Sequence, residues 1–229
     1  MFGAHVARPA NEGVIAPAPH LAAAIIVLAK EPVVGRVKTR LCPPCSAHQA
    51  AALAEAALAD TLATVATVPS ARRVLVLAGR AGPWLPAGFA VLPQRGDGLA
   101  ARLAAAFADV EGPALLIGMD TPQLSARLLR GALRALADPQ VEAVLGPTED
   151  GGYWAIGLRV PRERVFSGVP MSRNDTCARQ RERLRELGLH TVELPRLRDV
   201  DHIEDARAVA GQVPGSRFAA CLHSIEMAA

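Results

Sequence analysis

Short, almost purely apolar runs alternate along the chain with longer stretches in which apolar residues recur at helical spacing. Residues 21–29 contain only Leu, Ala, Ile and Val, which is typical of a strand buried on both faces. Similar short runs predict further strands at residues 73–78, 89–92, 114–118, 141–145, 153–158 and 190–194. The chain therefore has the strand content of a sizeable central sheet.

Helical patterns lie between most of these strands. They are predicted at residues 46–68, 99–109, 122–137 and 172–188, and from residue 201 onward. The spacings Ser46 to Gln49, Ser172 to Asp175 and Asp201 to Glu204 are those of helix-capping pairs. Because strands alternate with helices, we predict an α/β fold, a three-layer sandwich with a mostly parallel central sheet.

The pattern is weaker at both ends of the chain. Residues 1–20 are rich in proline and charge and lack a continuous apolar core, so we expect a flexible arm and not a signal peptide. Residues 21–211 form a single predicted domain, and residues 212–229 lose the pattern and are expected to be a tail. No apolar run reaches about 18 residues, so we expect no membrane span and a cytoplasmic protein.

Positive charge is concentrated directly after the first strand. The chain has 25 Lys and Arg residues, yet its only lysines are Lys30 and Lys38, in a segment that also holds Arg36 and Arg40. We call residues 30–40 the cationic loop. Lysine presents a compact point charge, so this usage favours a specific anion such as nucleotide phosphates over a merely solvated loop. Only 3% of residues are aromatic, which argues against a nucleic-acid binder.

Carboxylates follow the later strands. Asp120 comes after the run 114–118, where a carboxylate beside a phosphate site suits Mg²⁺; the alternative is a helix cap. Asp150 stands beside Gly151 and Gly152, where it could orient or deprotonate an acceptor hydroxyl; the alternative is an ordinary turn between strands. The acidic segment 199–205 is either part of the site or a helix N-terminus.

Several other chemistries lack their motifs. The segment around Gly35 has neither the spacing nor the first glycine of a P-loop, and no G-x-G-x-x-G follows any strand. Cys42 and Cys45 have C-x-x-C spacing, but Cys177 and Cys221 supply no second pair for a zinc site. We therefore expect Cys42 and Cys45 to be dispensable.

Taken together, the motifs resemble the glycosyltransferase-A-like family of nucleotide-dependent transferases. Within it they resemble the bacterial arsenosugar-biosynthesis-like glycosyltransferase branch, formerly a domain of unknown function. The resemblance covers residues 22–205 and rests on A-K-x-P-x-x-G-x-x-K-T-R-L from Ala29, G-x-D-x-P-x-L around Asp120, D-G-G-Y from Asp150 and D-x-D from Asp199. The first motif is also similar to that of 2-phospholactate guanylyltransferases and, more distantly, molybdenum-cofactor guanylyltransferases.

The resemblance implies a nucleotide-diphospho-sugar transferase (glycosyltransferase-A) fold and a role for each motif. Asp120 and Asp150 would be catalytic, and Mg²⁺ or Mn²⁺ would be held by Asp120 with Asp199 or Asp201. The second substrate would contact Gly151, Gly152 and Tyr153. The nucleotide and its phosphates would be bound by Ala29, Lys30, Gly35, Arg36, Lys38, Arg40, Gln94 and Gly98.

Three functions stay open on the sequence. The four-motif match favours a glycosyltransferase that moves a sugar from a nucleotide-sugar donor to a small acceptor. The single aspartate of the second motif, where typical glycosyltransferases carry D-x-D, favours a guanylyltransferase-like nucleotidyltransferase acting on a small phosphorylated acceptor. Met171-Ser172-Arg173 replaces an expected Trp-Ser-Thr, which leaves a non-catalytic nucleotide-binding protein as the third alternative.

Overall fold

The structure is a computed structural model that describes residues 22–69 and 71–228; the predicted arm at residues 1–20 lies outside them. The strands are β1 (Ala24–Lys30), β2 (Arg72–Ala78), β3 (Ala90–Pro93), β4 (Ala114–Ile117), β5 (Ala143–Pro147), β6 (Tyr153–Leu158) and β7 (Thr191–Glu193). The helices are α1 (Ala47–Ala66), α2 (Gly98–Ala108), α3 (Ala126–Ala137), α4 (Thr176–Glu186), α5 (Ile203–Gln212) and α6 (Arg217–Met227). None of these helices is both long and apolar enough to cross a membrane.

All seven strands form one sheet in the order β3-β2-β1-β4-β6-β5-β7. Strand β1 pairs in parallel with β2 and β4, and β3 and β7 also join their neighbours in parallel. Only β6 runs the other way, antiparallel to both β4 and β5. The predicted α/β fold with a mostly parallel central sheet is therefore confirmed.

Helices pack against both faces of the sheet at the central strand β1. Ile25 belongs to an apolar cluster that includes Leu58 of α1, whereas Ile26 belongs to the cluster that contains Phe107 of α2 and Leu184 of α4. Successive side chains of a strand point to opposite faces, which is why one apolar run serves two cores. Burial on both faces explains why β1 reads as an unbroken apolar run and not as an alternating one.

Helix α1 begins as its sequence predicts. The Ser46 hydroxyl accepts a hydrogen bond from the Gln49 backbone N–H at 3.2 Å, and the Gln49 side chain accepts one from the Ser46 N–H at 2.7 Å. These reciprocal bonds satisfy two backbone donors that a helix start leaves without partners. They also fix the direction in which the chain leaves the cationic loop.

The other two predicted capping pairs were wrong. Helix α4 begins at Thr176 and not at Ser172, because Ser172 has a φ of 59° and the Thr176 hydroxyl accepts from Arg173 N–H and donates to the Pro170 carbonyl, each at 3.0 Å. These contacts hold residues 172–175 in a turn. Helix α5 begins after His202, whose backbone N–H donates to Asp205 at 2.9 Å, so Asp201 is not its cap.

The predicted C-terminal tail contains helix α6, which corrects the expectation that the pattern ends near residue 211. Ser216 caps the helix by accepting from Ala219 N–H at 3.0 Å, and Asp60 of α1 accepts from Phe218 N–H at 2.9 Å. Phe218 and Leu222 are buried with residues of α1 and α5 in a third apolar cluster. Their i, i+4 spacing is a helical signal that the sequence analysis overlooked.

Candidate functional site

A cavity of about 520 Å³ opens at the edge where the parallel strands end. Its walls come from the end of β1 and the cationic loop, the segment after β4, the start of α2 and the acidic turn before α5. The start of β6 reaches the same edge because β6 alone is reversed. Ligands of open α/β sheets bind beyond the carboxyl ends of the strands, so this cavity is the candidate site.

Both signs of charge line the cavity, and cations outnumber carboxylates. The carboxylates are Asp120, Asp199 and Asp201. The cations are Lys30, Arg36, Lys38, Arg40 and Arg102. The excess of positive charge suits a ligand with several negative charges, and the carboxylates lie together on one side of it.

Lys38 is the most buried of these cations for which an ion pair is seen. Its ammonium lies 2.6 Å from Asp120 Oδ1 and 3.6 Å from Asp201 Oδ1, and it donates to the Val200 carbonyl. Burial disfavours the charged ammonium, but Asp120, Asp199 and Asp201 outweigh that effect, so the pKa of Lys38 is raised. Lys38 is therefore a cation held among carboxylates.

The acidic turn is fixed beside Asp120 by backbone contacts. Val200 N–H donates to the Asp120 carbonyl at 3.0 Å, and the Gln123 side chain donates to the Arg198 carbonyl at 2.6 Å. The carboxylate of Asp201 in turn lies 2.5 Å from the Arg40 guanidinium. The first, second and fourth sequence motifs thus meet at one point.

The turn between β5 and β6 supplies a further carboxylate. Asp150 Oδ1 accepts from the Thr148 hydroxyl and, at 3.1 Å, from Gly152 N–H, which makes the segment an ordered turn. One oxygen each of Asp150, Asp199 and Asp201 lies within 4.8 Å of the others. Asp150 is therefore held in an ordered turn and also lies close to other carboxylates, so its two predicted roles are compatible.

Burial and neighbouring charges both act on the Asp199 carboxyl in this cluster. Burial, the neighbouring charge of Asp120 and smaller contributions from Asp201 and Asp150 together raise the pKa of Asp199 to about 8, against the opposing effect of Lys38. Burial and repulsion from neighbouring negative charges both disfavour the ionised carboxylate. A cation that entered the cluster would relieve this repulsion.

The donor set fits a hard divalent cation. Carboxylate oxygens are the ligands that Mg²⁺ and Mn²⁺ prefer, and those of Asp150, Asp199 and Asp201 lie close enough together for one ion. Thr121 also lines the cavity, and its hydroxyl is buried without a hydrogen-bond partner among the described residues. Of the residues predicted to hold a metal, Asp199 and Asp201 belong to this cluster together with Asp150, whereas Asp120 lies beside it and pairs with Lys38.

The alternative reading of Asp120 as a helix cap is wrong. Helix α3 begins at Ala126, and its cap is Ser125, whose hydroxyl accepts from Leu128 N–H at 3.3 Å. Asp120 lies five residues earlier in the chain and pairs with Lys38 instead. The carboxylate therefore has no helix-capping role.

The remaining predicted nucleotide contacts lie at or beside the cavity. Ala29, Lys30, Arg36 and Gln94 line it, while Gly35 and Gly98 adjoin lining residues. The amide of Gln94 donates to the Ala29 carbonyl at 2.7 Å and to the Val76 carbonyl at 3.3 Å, so it ties β3 to β1 and β2. Because the amide nitrogen of Gln94 makes these bonds, its side-chain oxygen is the atom left to accept a hydrogen bond from a ligand.

Of the predicted acceptor residues, Tyr153 lines the cavity, whereas Gly151 and Gly152 precede it in the adjoining turn and do not line it. Gly151 has a φ of 90°, and a Cβ there would meet the Asn174 carbonyl oxygen at 1.8 Å, so only glycine fits between the two turns. Tyr153 lines the cavity, but its hydroxyl donates a long bond, 3.5 Å, to Gln180. Burial, with a smaller effect of Cys177, raises the pKa of Tyr153, so its hydroxyl stays protonated.

Sequence reasoning missed some lining residues. Arg102 lies one turn into α2, and Ser172 lies in the turn before α4. Arg102 sits among many surface arginines in the sequence, so only its position one turn after the Gly98 loop was available as a signal. Ser172 was read as a helix start, which hid its place at the cavity.

Three of the four cysteines, Cys42, Cys45 and Cys221, lie away from this cavity. Cys45 is buried in the third apolar cluster, and Cys42 and Cys221 pack against the same cluster. Burial raises the pKa of the Cys45 and Cys221 thiols, which disfavours the reactive thiolate. Cys221 is thus closer to Cys45 than the sequence indicated, yet the environment is that of packed, protonated thiols.

Three solved structures share this fold. A protein from Desulfovibrio desulfuricans G20 that carries the provisional name nucleotide-diphospho-sugar transferase is 26% identical, with a TM-score of 0.81 over 90% of this chain and 96% of that chain. A cytidylyltransferase from Leptospira borgpetersenii serovar Hardjo-bovis (strain JB197) is 13% identical, with a TM-score of 0.56 over 91% and 95%. CMP:2-keto-3-deoxy-manno-octonic acid synthetase, complexed with CTP, is 13% identical, with a TM-score of 0.54 over 84% and 99%.

The fold is therefore that of the nucleotide-diphospho-sugar transferase type. A family model described as "Uncharacterized protein conserved in bacteria (DUF2064)" matches residues 51–173, more than half of the chain, and the chain belongs to this family. The matched segment contains Asp120 and Asp150 but neither the cationic loop nor the acidic turn. A search of curated proteins found no match.

Proposed function

We propose that this protein is a nucleotide-sugar-dependent glycosyltransferase that uses Mg²⁺ or Mn²⁺ to transfer a sugar to a small acceptor. The observation that carries the proposal is the cavity in which the cationic loop faces the carboxylates. A nucleotide-sugar has a pyrophosphate, which the cations would bind in place of water. Its sugar must extend toward the acceptor. The similarity to the Desulfovibrio protein supports the same class.

Each wall has a defined part in this proposal. Lys30, Arg36 and Arg102 would bind the donor through its negative charge, and the Gly151–Tyr153 wall would border the acceptor. Asp150, already oriented by the Thr148 hydroxyl and Gly152 N–H, would accept the proton of an acceptor hydroxyl. Asp120, Asp199 and Asp201 would hold the divalent ion, which when bound supplies electrostatic stabilisation of the leaving phosphate.

A nucleotidyltransferase is the second candidate. The observation that favours it is the single carboxylate of the second motif, Asp120, where typical glycosyltransferases carry two. In this case a small phosphorylated acceptor would attack the donor nucleotide and pyrophosphate would leave. The motif similarity to 2-phospholactate and molybdenum-cofactor guanylyltransferases points to the same alternative.

Product analysis separates the candidates. The protein is first screened by calorimetry against nucleoside di- and triphosphates and nucleotide-sugars in the presence of Mn²⁺, and then incubated with the bound donor and a panel of acceptors. Release of a nucleoside diphosphate identifies glycosyl transfer, and release of pyrophosphate identifies nucleotidyl transfer. Tight donor binding with neither product would favour the non-catalytic binding protein, and no binding at all would refute a nucleotide-dependent function.

A further inference from the structure

One cation of the cavity occupies the carboxylate cluster itself. The Lys38 ammonium contacts Asp120 at 2.6 Å and Asp201 at 3.6 Å, and its side chain is only 9% exposed. The backbone of Lys38 has a φ of 47°, a left-handed conformation that is uncommon for a residue with a side chain. The contacts with two carboxylates and with the Val200 carbonyl hold the residue in this conformation.

Other cations of the cavity are placed differently. Across residues 22–69 and 71–228, Lys30, Arg36 and Arg102 line the cavity without an ion pair to any carboxylate. Arg40 pairs with Asp201, but its side chain is 68% exposed. Lys38 is thus distinguished by lying inside the cluster, where its ammonium supplies the positive charge that the carboxylates require.

The same oxygens are candidate ligands of the divalent ion. Asp120 Oδ1 and Asp201 Oδ1 are the atoms that face Lys38 Nζ, and the buried Thr121 hydroxyl without a partner lines the same cavity. Two cations that share these oxygens repel each other, so an ammonium in place weakens metal binding. A lysine side chain is a flexible four-carbon stem, and a phosphate within its reach offers it another partner.

Resting on the function proposed above, we propose that Lys38 is a tethered counter-ion that guards the metal site until a nucleotide arrives. Without nucleotide, its ammonium neutralises Asp120 and Asp201 and keeps divalent-ion affinity low. Donor phosphates then draw the ammonium away and leave the carboxylates to the ion. Metal binding is thereby coupled to nucleotide binding through one side chain.

The test measures Mn²⁺ binding in the absence of nucleotide, by the loss of the free Mn²⁺ signal in electron paramagnetic resonance. Lys38→Met removes the charge while keeping the length of the side chain. We expect it to bind Mn²⁺ about tenfold or more tightly than the wild type, the usual effect of removing one close like charge. Lys30→Met is the matched control, because it removes the other lysine of the cavity without touching the carboxylates, and it should match the wild type.

A nucleoside diphosphate should narrow the difference in Mn²⁺ affinity between the two proteins. The wild type should then gain Mn²⁺ affinity, whereas Lys38→Met should gain less, because its metal site is already uncovered. Equal Mn²⁺ affinity of Lys38→Met and wild type without nucleotide would overturn the proposal. If Lys38→Met and Lys38→Gln both fail to fold, millimolar Mn²⁺ should restore their folding by neutralising the carboxylates, and failure to do so would equally overturn it.

The two proposals fail in different ways. If no nucleotide binds the wild type with Mn²⁺, the proposed function is refuted, while the comparison of Lys38→Met with Lys30→Met in Mn²⁺ alone still reports on the counter-ion. If nucleotides bind and the two variants do not differ in Mn²⁺ alone, only the counter-ion role of Lys38 is refuted.

Discussion

Arg102 differs from the cations of the loop because a helix carries it. It lies one turn into α2 and lines the cavity near Gln94 and Leu99, where its guanidinium makes one long contact, 3.4 Å, with the Gly96 carbonyl. A helix holds a side chain in a more defined position than a loop, so Arg102 suits a fixed part of the donor. Its contribution is therefore separable from that of the cationic loop.

Replacing Arg102 by Ala should weaken binding of a nucleoside diphosphate by about 1.5–3 kcal/mol, the usual worth of a hydrogen bond to a charged group. Calorimetric titration measures the change. Arg130→Ala on the exposed surface of α3 removes the same charge away from the cavity and should leave the affinity unchanged. Equal affinities of the two variants would show that Arg102 does not contact the nucleotide.

Residue identities at the cavity were predictable, but their pairings were not. Lys38 lies in the loop that follows one apolar run and Asp120 follows another, and the carboxyl ends of parallel strands meet at one edge, so both were expected at this cavity. The sequence assigned Lys38 to phosphate, whereas in the structure its ammonium lies among carboxylates. Arg40 and Asp201 are separated by 161 residues, and no local pattern reports so distant a partner.

At the scale of elements, strands and long helices were predictable because each has a strong apolar pattern. The start of α4 was not, because Ser172 has the side chain of a helix cap but a left-handed backbone fixed by contacts with Thr176 and its neighbours. Helix α6 was overlooked because Pro214 and Gly215 interrupt the pattern before it. Tertiary contacts decide both cases.

Helix α6 is expected to contribute to stability as a core element. Phe218→Ala should lower the free energy of unfolding by about 3–5 kcal/mol, because it leaves a cavity between α6 and α1. Urea denaturation measures the change. Met227→Ala is the control on the same helix, since Met227 is 75% exposed, and it should alter stability by less than about 0.5 kcal/mol. A similarly small loss of stability for Phe218→Ala would mean that α6 does not pack against α1.

At the scale of the whole molecule, ligand binding should raise the free energy of unfolding. A nucleotide with Mn²⁺ at about 100 times its dissociation constant adds roughly 2.7 kcal/mol to the folded state. Asp120→Asn keeps the shape of the side chain but loses the charge, so the difference in melting temperature between nucleotide with Mn²⁺ and nucleotide with chelator should largely vanish. Lys38 keeps Asp201 as a neighbour in this variant, so the protein should still fold.

Asp138→Asn is the matched control for that experiment. Asp138 is exposed at the end of α3 and accepts from Gln140 N–H at 2.9 Å, a bond that asparagine also accepts. Its variant should keep the full Mn²⁺-dependent stabilisation. An Asp120→Asn protein that also keeps it would remove Asp120 from the metal site.

The ion pair between Arg40 and Asp201 has a consequence for the protein during its synthesis. The ribosome makes the cationic loop early and the acidic turn 161 residues later, after every strand of the sheet has been made. Domains begin to fold from the N-terminus while the chain is still growing. A nascent chain that has emerged only through β6 therefore has the cations of the cavity but not the carboxylates of Asp199 and Asp201, so the proposed metal site would be complete only near the end of translation.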